Sequence, residues 1–323
     1  MKPFILLRPA TLSEAAREAA RPGSEVKAGG VDLLDRMKEG FDSPQRVVSI
    51  AHVPGLDQIF AGPPAKIGAL ATLARIASSP DIKRLYPALA AAAEGAATPQ
   101  IRNMATLGGN LCQRPRCWYY RLAEFDCRKK GGPTCYAQDG ENRFHAIFDS
   151  DLFCCCIHPS ATAVALLAYG AKLNTVSPRG RRTIVLDDFF VRPTEDARRE
   201  NVLTPGEIIE TVTIPAPPPG ARSVYKKLKE KESFDWPLVE ACVNLTVSGG
   251  TVREARVILG SVAPTPRRAT EAEAVLRGAP ARPETASKAA AAAVANAKPL
   301  AQNAYKVRLA RVTLERALRE AFA

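Results

Sequence analysis

The chain has 323 residues, of which 46% are hydrophobic and 24% charged, and its formal net charge is +12. These values are typical of one large or two ordinary packed domains, and they exclude a mainly disordered chain or a small disulfide scaffold. No apolar run approaches the roughly 20 residues that a membrane helix needs, and residues 4–7 are too few for an export signal. The basic residues are scattered and form no stripe or motif, so we expect no nucleic-acid partner.

Short helices and strands alternate through the first 95 residues. The spacing of Thr11 and Glu14 is that of a capping box, and the apolar stripe behind it predicts a helix near residues 12–20. A brief strand then leads through Gly29 and Gly30 to a helix that ends near Glu39. Further strands are predicted at residues 47–50 and 66–69, and further helices at 72–78 and 86–93.

A proline run divides the rest of the chain. Before it, residues 164–176, 183–191 and 207–214 are predicted to be rich in strands. Residues 215–220 are the best linker, because proline removes ladder donors and stiffens the chain. Beyond the linker we expect strands at 223–228, 239–247 and 255–261, then helices at 284–297 and 303–321. Strands followed by helices predict an α+β unit.

Seven of the eight cysteines lie in one 45-residue stretch, namely Cys112, Cys117, Cys127, Cys135, Cys154, Cys155 and Cys156. Because no export signal is expected, disulfides are disfavoured and a metal or cluster is the favoured use. Four thiolates that converge on one point would fit zinc or an iron–sulfur cluster. Successive cysteines after Cys117 are separated by wide gaps. A zinc site usually contains close pairs of cysteines, so this spacing favours the cluster. The alternative is that the last three cysteines form a buried strand and the others are incidental.

Two glycine-rich turns, at residues 28–33 and 106–111, are the strongest binding signals. Glycine lets the backbone approach a phosphate closely, and successive amides then form an anion nest. Neither turn matches a Rossmann or P-loop motif, and each alone is as typical of an ordinary tight turn. The three histidines lie far apart, and no catalytic triad or carboxylate pair is visible, so we expect no self-contained substrate chemistry.

The order of these motifs resembles a known family. The chain resembles the FAD-binding (medium) subunit of the molybdenum hydroxylase, or xanthine dehydrogenase, family. The resemblance is carried by A-G-G-V-D-L, followed by T-P-Q-I-R-N-M-A-T-L-G-G-N-L, and by residues 203–207 and 225–228. The resemblance covers essentially the whole chain and implies an α+β fold. A vanillyl-alcohol-oxidase-type (PCMH-like) FAD-binding domain would span residues 1–215, in lobes of about 1–55 and 56–215. A C-terminal α+β domain of the CO dehydrogenase flavoprotein type would span 221–323.

The resemblance also implies which residues hold FAD. They are Val26, Lys27, Ala28, Gly29, Gly30, Val31, Asp32, Leu33, Ala97, Ile101, Thr106, Gly108, Gly109, Asn110 and Lys227. The two turns would hold the pyrophosphate, and Ala97 and Ile101 would line the isoalloxazine region. A cation at Lys227 would favour reduced, anionic flavin, although an ordinary surface lysine is the alternative. The chain departs from the family at Ala161, where relatives usually have Asp.

The cysteine segment, residues 112–156, resembles the branch of the family whose flavin subunit also carries a 4Fe–4S cluster, the aldehyde oxidoreductase and 4-hydroxybenzoyl-CoA reductase type. Matching by position, the expected metal ligands are Cys117, Cys127, Cys135 and Cys154. Cys155 and Cys156 compete with Cys154 for the fourth place. Cys112 and Cys242 are then expected to be buried structural thiols.

The function implied by the resemblance is electron transfer within a heterotrimer. A large subunit with a molybdenum cofactor would oxidise an aldehyde or N-heterocycle, and a small 2Fe–2S subunit would pass electrons to FAD in this chain for delivery to a soluble acceptor. The complex would be cytoplasmic, or periplasmic if exported folded with a partner subunit that carries the signal. Two alternatives stay open: a stand-alone flavin oxidoreductase, and a non-redox scaffold subunit stapled by zinc.

Overall fold

A small parallel sheet with two helices begins the chain. The computed structural model describes residues 1–150, 153–231 and 233–323. The first elements are β1 (Ile5–Leu7), α1 (Leu12–Ala19), β2 (Ser24–Lys27), α2 (Val31–Lys38) and β3 (Arg46–Ser49). The strands pair in the order β1-β3-β2 and are parallel. The Thr11 cap is confirmed, because the Glu14 amide donates to Thr11 Oγ1 at 3.2 Å, while the Glu14 carboxylate accepts the Ala10 amide at 2.9 Å, one residue before the N-cap position of a capping box.

An antiparallel five-stranded sheet packed against helices follows. The strands are β4 (Ile59–Phe60), β5 (Ala65–Gly68), β6 (Lys172–Ser177), β7 (Gly180–Val185) and β8 (Ile208–Ile214), paired in the order β4-β5-β8-β6-β7. The helices are α3 (Leu73–Ser78), α4 (Pro80–Leu85), α5 (Pro87–Glu94), α6 (Pro99–Met104), α7 (Leu107–Leu111), α8 (Trp118–Arg121), α9 (Ala161–Ala168) and α10 (Pro193–Asp196). The sheet, α3, α5 and α9 share one buried apolar core.

The strand-rich prediction for residues 164–176 is half wrong. Residues 161–168 are helix α9, which Ser160 caps by accepting the Ala163 amide at 3.1 Å, and only β6 beyond it is a strand. Every residue of α9 is buried. A helix without a polar face has no 3.6-residue periodicity to set it apart from a buried strand. The prediction for 183–191 is also partly wrong, because β7 ends at Val185 and a 3-10 turn, Leu186–Asp188, follows.

The C-terminal third is an antiparallel sheet backed by helices, as predicted. Its strands are β9 (Ala221–Leu228), β10 (Val239–Ser248), β11 (Thr251–Gly260) and β12 (Arg267–Arg268), in the order β12-β11-β10-β9. Its helices are α11 (Thr270–Leu276), α12 (Pro283–Val294) and α13 (Tyr305–Phe322). They bury one face of the sheet in a second apolar core. The division of the chain into domains at residues 215–221 stays a prediction.

The other face of this sheet packs against the middle of the chain. Tyr225, Cys242 and Ile258 belong to the same apolar core as α5 and α9. This packing places the end of β9, with Lys227, beside Gly95 at the end of α5. Within the described ranges, no helix has the length and apolar character needed to cross a membrane.

Candidate flavin cleft and cysteine cavity

A cleft of about 1000 Å³ runs between the two glycine turns. This volume lies at the upper end of ligand pockets, which are typically about 300–1,000 Å³. Its wall includes all but one of the predicted FAD residues, namely Val26, Ala28, Gly29, Gly30, Val31, Asp32, Leu33, Ala97, Ile101, Thr106, Gly108, Gly109, Asn110 and Lys227. The exception is Lys27, which is not part of the wall and whose Nζ donates to the Ala28 carbonyl at 3.3 Å. Sequence motifs far apart in the chain are therefore brought to one site.

The first glycine turn abuts, at Gly29, the end of helix α6 just before the second turn. A Cβ on Gly29 would lie 1.8 Å from the backbone oxygen of Met104, the last residue of α6. Only glycine permits this approach, because no larger residue leaves room for the facing backbone. The next residue, Gly30, has φ +82° and caps α2. The first motif thus needs its glycines both for contact with the second motif and for the turn itself.

The second glycine motif opens a short helix rather than a free turn. Thr106 caps α7, since its Oγ1 accepts the Gly109 amide at 3.2 Å. A Cβ on Gly108 would lie 3.0 Å from the Cβ of Ala69. The pair of glycines therefore lets α7 pack closely against the end of β5 while the same backbone lines the cleft.

Two buried hydroxyls fix the orientation of Asn110. Ser160 Oγ and Thr162 Oγ1 each donate to Asn110 Oδ1 at 2.6 Å, and both residues are fully buried. With its oxygen occupied by two donors, the amide presents its Nδ2 hydrogens as the available donors. Sequence reasoning missed Ser160 and Thr162 as supporting residues. Ala161 between them lines the cleft, so a methyl group stands where the family usually has a carboxylate.

The Asp32 carboxylate is occupied by arginines rather than turned to a ligand. Arg116 and Arg121 each lie 2.7 Å from its Oδ1, and Arg36 lies 3.1 Å from its Oδ2. Burial raises the pKa of Asp32, but the guanidinium groups of Arg116, Arg121 and Arg36 outweigh it and lower the pKa below its usual value. Asp32 therefore joins the first glycine turn to the cysteine segment.

Lys227 is a half-buried cleft residue and not an ordinary surface lysine. Its Nζ donates to the carbonyl oxygen of Gly95, and burial lowers its pKa. It stands directly opposite Glu240 in the β9–β10 pairing, so both side chains are on one face of the sheet. Glu240 is fully buried, also lines the cleft, and accepts hydrogen bonds from Tyr225 and, at 2.8 Å, from Ser261. A lone acid within an apolar strand was the signal that sequence reasoning overlooked.

The cysteines lie around a second, much smaller cavity. Its wall includes all four predicted ligands, Cys117, Cys127, Cys135 and Cys154, together with Cys156. Cys155 lies behind this wall, with its Sγ 3.7 Å from Cys135 Sγ. In the part of the chain that the structure describes, no three Cys, His, Asp or Glu side chains are arranged to hold a single metal ion. The cysteine side chains therefore do not meet at one point, as was expected, but line a cavity.

Mutual hydrogen bonding divides the cysteine thiols into two kinds. Hydrogen bonds from Cys154 and Cys155 lower the pKa of Cys135, and a hydrogen bond from Cys154 lowers that of Cys156. The pKa values of Cys154 and Cys155 are raised by the same contacts. Burial raises the pKa of Cys117 to about 12. Cys135, Cys154, Cys155 and Cys156 are therefore in mutual hydrogen-bond contact.

His145 is a neighbour of the cysteines that sequence reasoning did not connect with them. Its Nε2 lies 3.2 Å from Cys117 Sγ, and burial lowers its pKa to about 4, so the ring is neutral. The two other cysteines behave as expected in part. Cys242 is fully buried in the core, whereas Cys112 lines the flavin cleft, where burial raises its pKa to about 12.

Two family matches cover the chain. Residues 2–217 match the family described as the FAD-binding domain in molybdopterin dehydrogenase, and residues 223–321 match the CO dehydrogenase flavoprotein C-terminal domain. These matches, with the fold, define an FAD-binding subunit of an oxidoreductase.

Individual relatives agree along the whole length. The aldehyde oxidoreductase FAD-binding subunit PaoB of Escherichia coli strain K12 is 37% identical over 327 residues, which cover 99% of this chain and 99% of that protein. The carbon monoxide dehydrogenase medium chain of Hydrogenophaga pseudoflava is 30% identical over 98% of this chain and 96% of that protein. A crystal structure of a Cu,Mo-CO dehydrogenase superposes with a TM-score of 0.79 at 26% identity, covering 100% of this chain and 99% of that one.

The chain belongs to the family of FAD-binding subunits of molybdenum hydroxylases. It is accordingly the FAD-binding subunit of a molybdenum hydroxylase-type oxidoreductase complex, and the predicted α+β fold with its two domain types is confirmed.

Proposed function

We propose that this chain is the electron-transfer subunit of a three-subunit molybdenum hydroxylase. It would receive electrons from the 2Fe–2S clusters of a small subunit and deliver them to a soluble external acceptor. A large subunit with the molybdenum cofactor would oxidise the substrate, and the 37% identity to an aldehyde oxidoreductase subunit favours an aldehyde. The observation that carries the proposal is that both glycine motifs line one cleft of about 1000 Å³.

The cleft residues are suited to hold FAD. The backbone of residues 28–33 and of residues 106–110 would hold its pyrophosphate, because glycine leaves the amides accessible. The Asn110 Nδ2 group adds a donor whose direction Ser160 and Thr162 set. Ala97 and Ile101 would line the isoalloxazine, with Lys227 and Glu240 at the same wall. Bound FAD supplies the ability to accept electrons singly and release them in pairs.

We further propose that the cysteine cavity holds a 4Fe–4S cluster, with Cys117, Cys127 and Cys135 as three ligands and Cys154 or Cys156 as the fourth. The support is that Cys117, Cys127, Cys135, Cys154 and Cys156 all line one cavity. The cluster would either conduct electrons or hold the cysteine segment in place.

The cofactors can be identified directly on the full chain purified without air. We expect one FAD released on denaturation, iron and acid-labile sulfide in equal amounts, and a visible spectrum with flavin bands above a broad shoulder. FAD without iron would contradict the cluster and favour a flavin-only oxidoreductase. A colourless protein that contains zinc would contradict both proposals and favour the scaffold.

The ligand set is tested by single Cys→Ser variants. Replacement of Cys117, Cys127 or Cys135 should reduce iron to a small fraction of the wild-type content. Cys242→Ser is the matched control, because Cys242 is buried in the core away from the cavity and should leave iron unchanged. A comparison of Cys154→Ser with Cys156→Ser identifies the fourth ligand. Unchanged iron in all of these variants would contradict the cluster site.

The partners are tested by isolating the chain from its native source with a mild affinity tag. We expect a molybdenum-containing large subunit and a 2Fe–2S small subunit in equal amounts with this chain. Recovery of the chain alone, still loaded with FAD and active as an oxidase, would instead support a stand-alone flavoenzyme. Fractionation of the same cells would decide between the cytoplasmic and periplasmic locations.

A further inference from the structure

A buried row of charges lies in the wall that separates the two sites. Lys129 Nζ lies 2.6 Å from Glu200 Oε1, and Arg114 Nε lies 2.6 Å from Glu200 Oε2. The side chains of Lys129 and Glu200 are only 3% and 5% exposed. Glu200 thus bridges the buried cation of Lys129 and the partly exposed one of Arg114.

The two ends of this row belong to different sites. Lys129 lines the cysteine cavity, together with Cys154 and Cys156. Glu200 and Arg114 line the flavin cleft. The Arg114 backbone amide also donates to Asp32 Oδ2 at 3.1 Å, which ties this end to the first glycine turn. The row is therefore a continuous set of charges from one cavity to the other.

Stability alone does not explain such an arrangement. Moving ions out of water costs several kcal/mol each, and apolar residues of similar volume are often as stable in place of a buried ion pair. Fixed charges do, however, act on nearby groups that gain or lose charge, and the effect is larger where water is excluded. An electron added at either site is such a change. A cation nearby favours the added electron, and an anion nearby disfavours it.

We infer that Lys129, Glu200 and Arg114 set the reduction potentials of the cysteine-bound centre and of the flavin together. The inference rests on the proposed function, because it takes the cysteine cavity as a redox site. Lys129 favours electron addition at the cysteines, and Glu200 opposes it at both sites. Arg114 partly offsets Glu200 at the flavin cleft. These three residues act through their charges, since none is expected to bond to a cofactor.

The test uses charge-neutral variants of the full chain, titrated potentiometrically and followed by visible absorption and electron paramagnetic resonance. Lys129→Met should move both midpoint potentials to more negative values. Glu200→Gln should move both to more positive values. Lys130→Met is the matched control, because the neighbouring Lys130 donates to the Leu122 carbonyl at 2.7 Å, not to Glu200, and should leave both potentials unchanged.

Opposite signs in the two variants distinguish an electrostatic role from a structural one, which would weaken both sites in the same direction. If Lys129→Met fails to fold, Lys129→Gln, which removes the charge but keeps a hydrogen-bond donor toward Glu200, should move both potentials in the same negative direction. Shifts of equal sign, or no shift in variants with full cofactor content, would overturn the inference. Wild-type protein without iron would instead refute the cluster, and the flavin potential would still decide the role of the charges.

Discussion

Single residues with no reactive group decide whether the flavin cleft exists. Gly29 has no chemistry of its own, but it is the point where the first glycine turn meets the backbone of Met104, which leads into the second. Thr162 and Ser160 are likewise remote from the glycine turns in sequence, and they fix the direction in which Asn110 donates. At this scale, function depends on contacts behind the cleft wall as much as on the wall itself.

Gly29→Ala should destabilise the protein by about 1–3 kcal/mol, the usual cost of overpacking, and should remove bound FAD. The reason is that the new Cβ would meet the Met104 backbone oxygen, which cannot rotate away. Thermal unfolding and the FAD content measure the two effects. Gly62→Ala is the control, since a Cβ there has no atom within 4 Å. Normal FAD content in Gly29→Ala would show that the two turns do not need this contact.

Thr162→Val should weaken FAD binding about tenfold, because one net hydrogen bond contributes about 0.5–1.5 kcal/mol and Asn110 would lose one of its two fixed donors. Titration of the apo-protein with FAD, followed by flavin fluorescence, measures the affinity. Thr313→Val makes the same change at a buried position on α13 and should leave the affinity unchanged. Equal affinities in both variants would argue against an oriented Asn110.

Glu207 should make stability depend on pH in the acid range. Burial raises the pKa of Glu207, but hydrogen bonds from Arg182, Thr175 and the Thr204 amide outweigh it and lower the pKa from 4.5 to about 2. A carboxylate with a lowered folded-state pKa stabilises the fold above about pH 4.5, and this contribution is lost as the pH falls toward 2. We expect about 1–3 kcal/mol, because Arg182 is half exposed and its charge is screened.

Urea unfolding of the wild type and of Glu207→Gln between pH 2 and pH 7 tests this linkage. The wild type should be the more stable protein at neutral pH, and the two free energies of unfolding should converge toward pH 2. A constant difference across the range would mean that the charge of Glu207 contributes nothing.

Among the elements, those with an amphipathic pattern were predictable and those buried on all sides were not. The stripe of α13 and the capping box of α1 predicted both helices correctly, because each element keeps one polar face. Helix α9 is buried all round, so its sequence carries no such face and was predicted as strand. The cleft residues were predicted through motifs, whereas Glu240 and His145 were not, because only the pairing of distant segments brings them to their sites.

Asn303, two residues before α13, and Lys306 in its first turn both hold the backbone of the cysteine segment. Asn303 Nδ2 donates to the carbonyl oxygens of Asn142, His145 and Ala146 at 3.0–3.3 Å. Asn303→Ala should leave the Ala146 carbonyl without its donor, at about 1–3 kcal/mol, and should lower the iron content, whereas the His145 carbonyl keeps Lys306 Nζ and the Asn142 carbonyl keeps the His145 amide. Asn296→Ala, at an exposed position, is the control and should change neither the unfolding temperature nor the iron. Full iron in Asn303→Ala would show that the segment is held by its other contacts.

At the scale of the whole molecule, the cysteine segment is held by residues from both the N-terminal and the C-terminal parts of the chain. Asp32, near the start of the chain, binds the arginines of the cysteine segment. Residues beyond 260 bind the backbone of that segment. The Val262 carbonyl accepts the amides of Ile147 and Phe148 at 2.8 and 3.1 Å, and the Ala263 carbonyl accepts the His158 amide at 3.0 Å. Neither fastening was visible in the sequence, where the partners lie more than 80 residues apart.

This double fastening has a consequence for biosynthesis. While the ribosome is still making residues 262–303, the thiols have left the exit tunnel without the segments that bind their backbone. If the cavity holds the proposed cluster, its site is complete only after those residues have been made. Alkylation of ribosome-stalled chains should label the cysteines of those ending before residue 262, and protection at that stage would show that enclosure comes earlier.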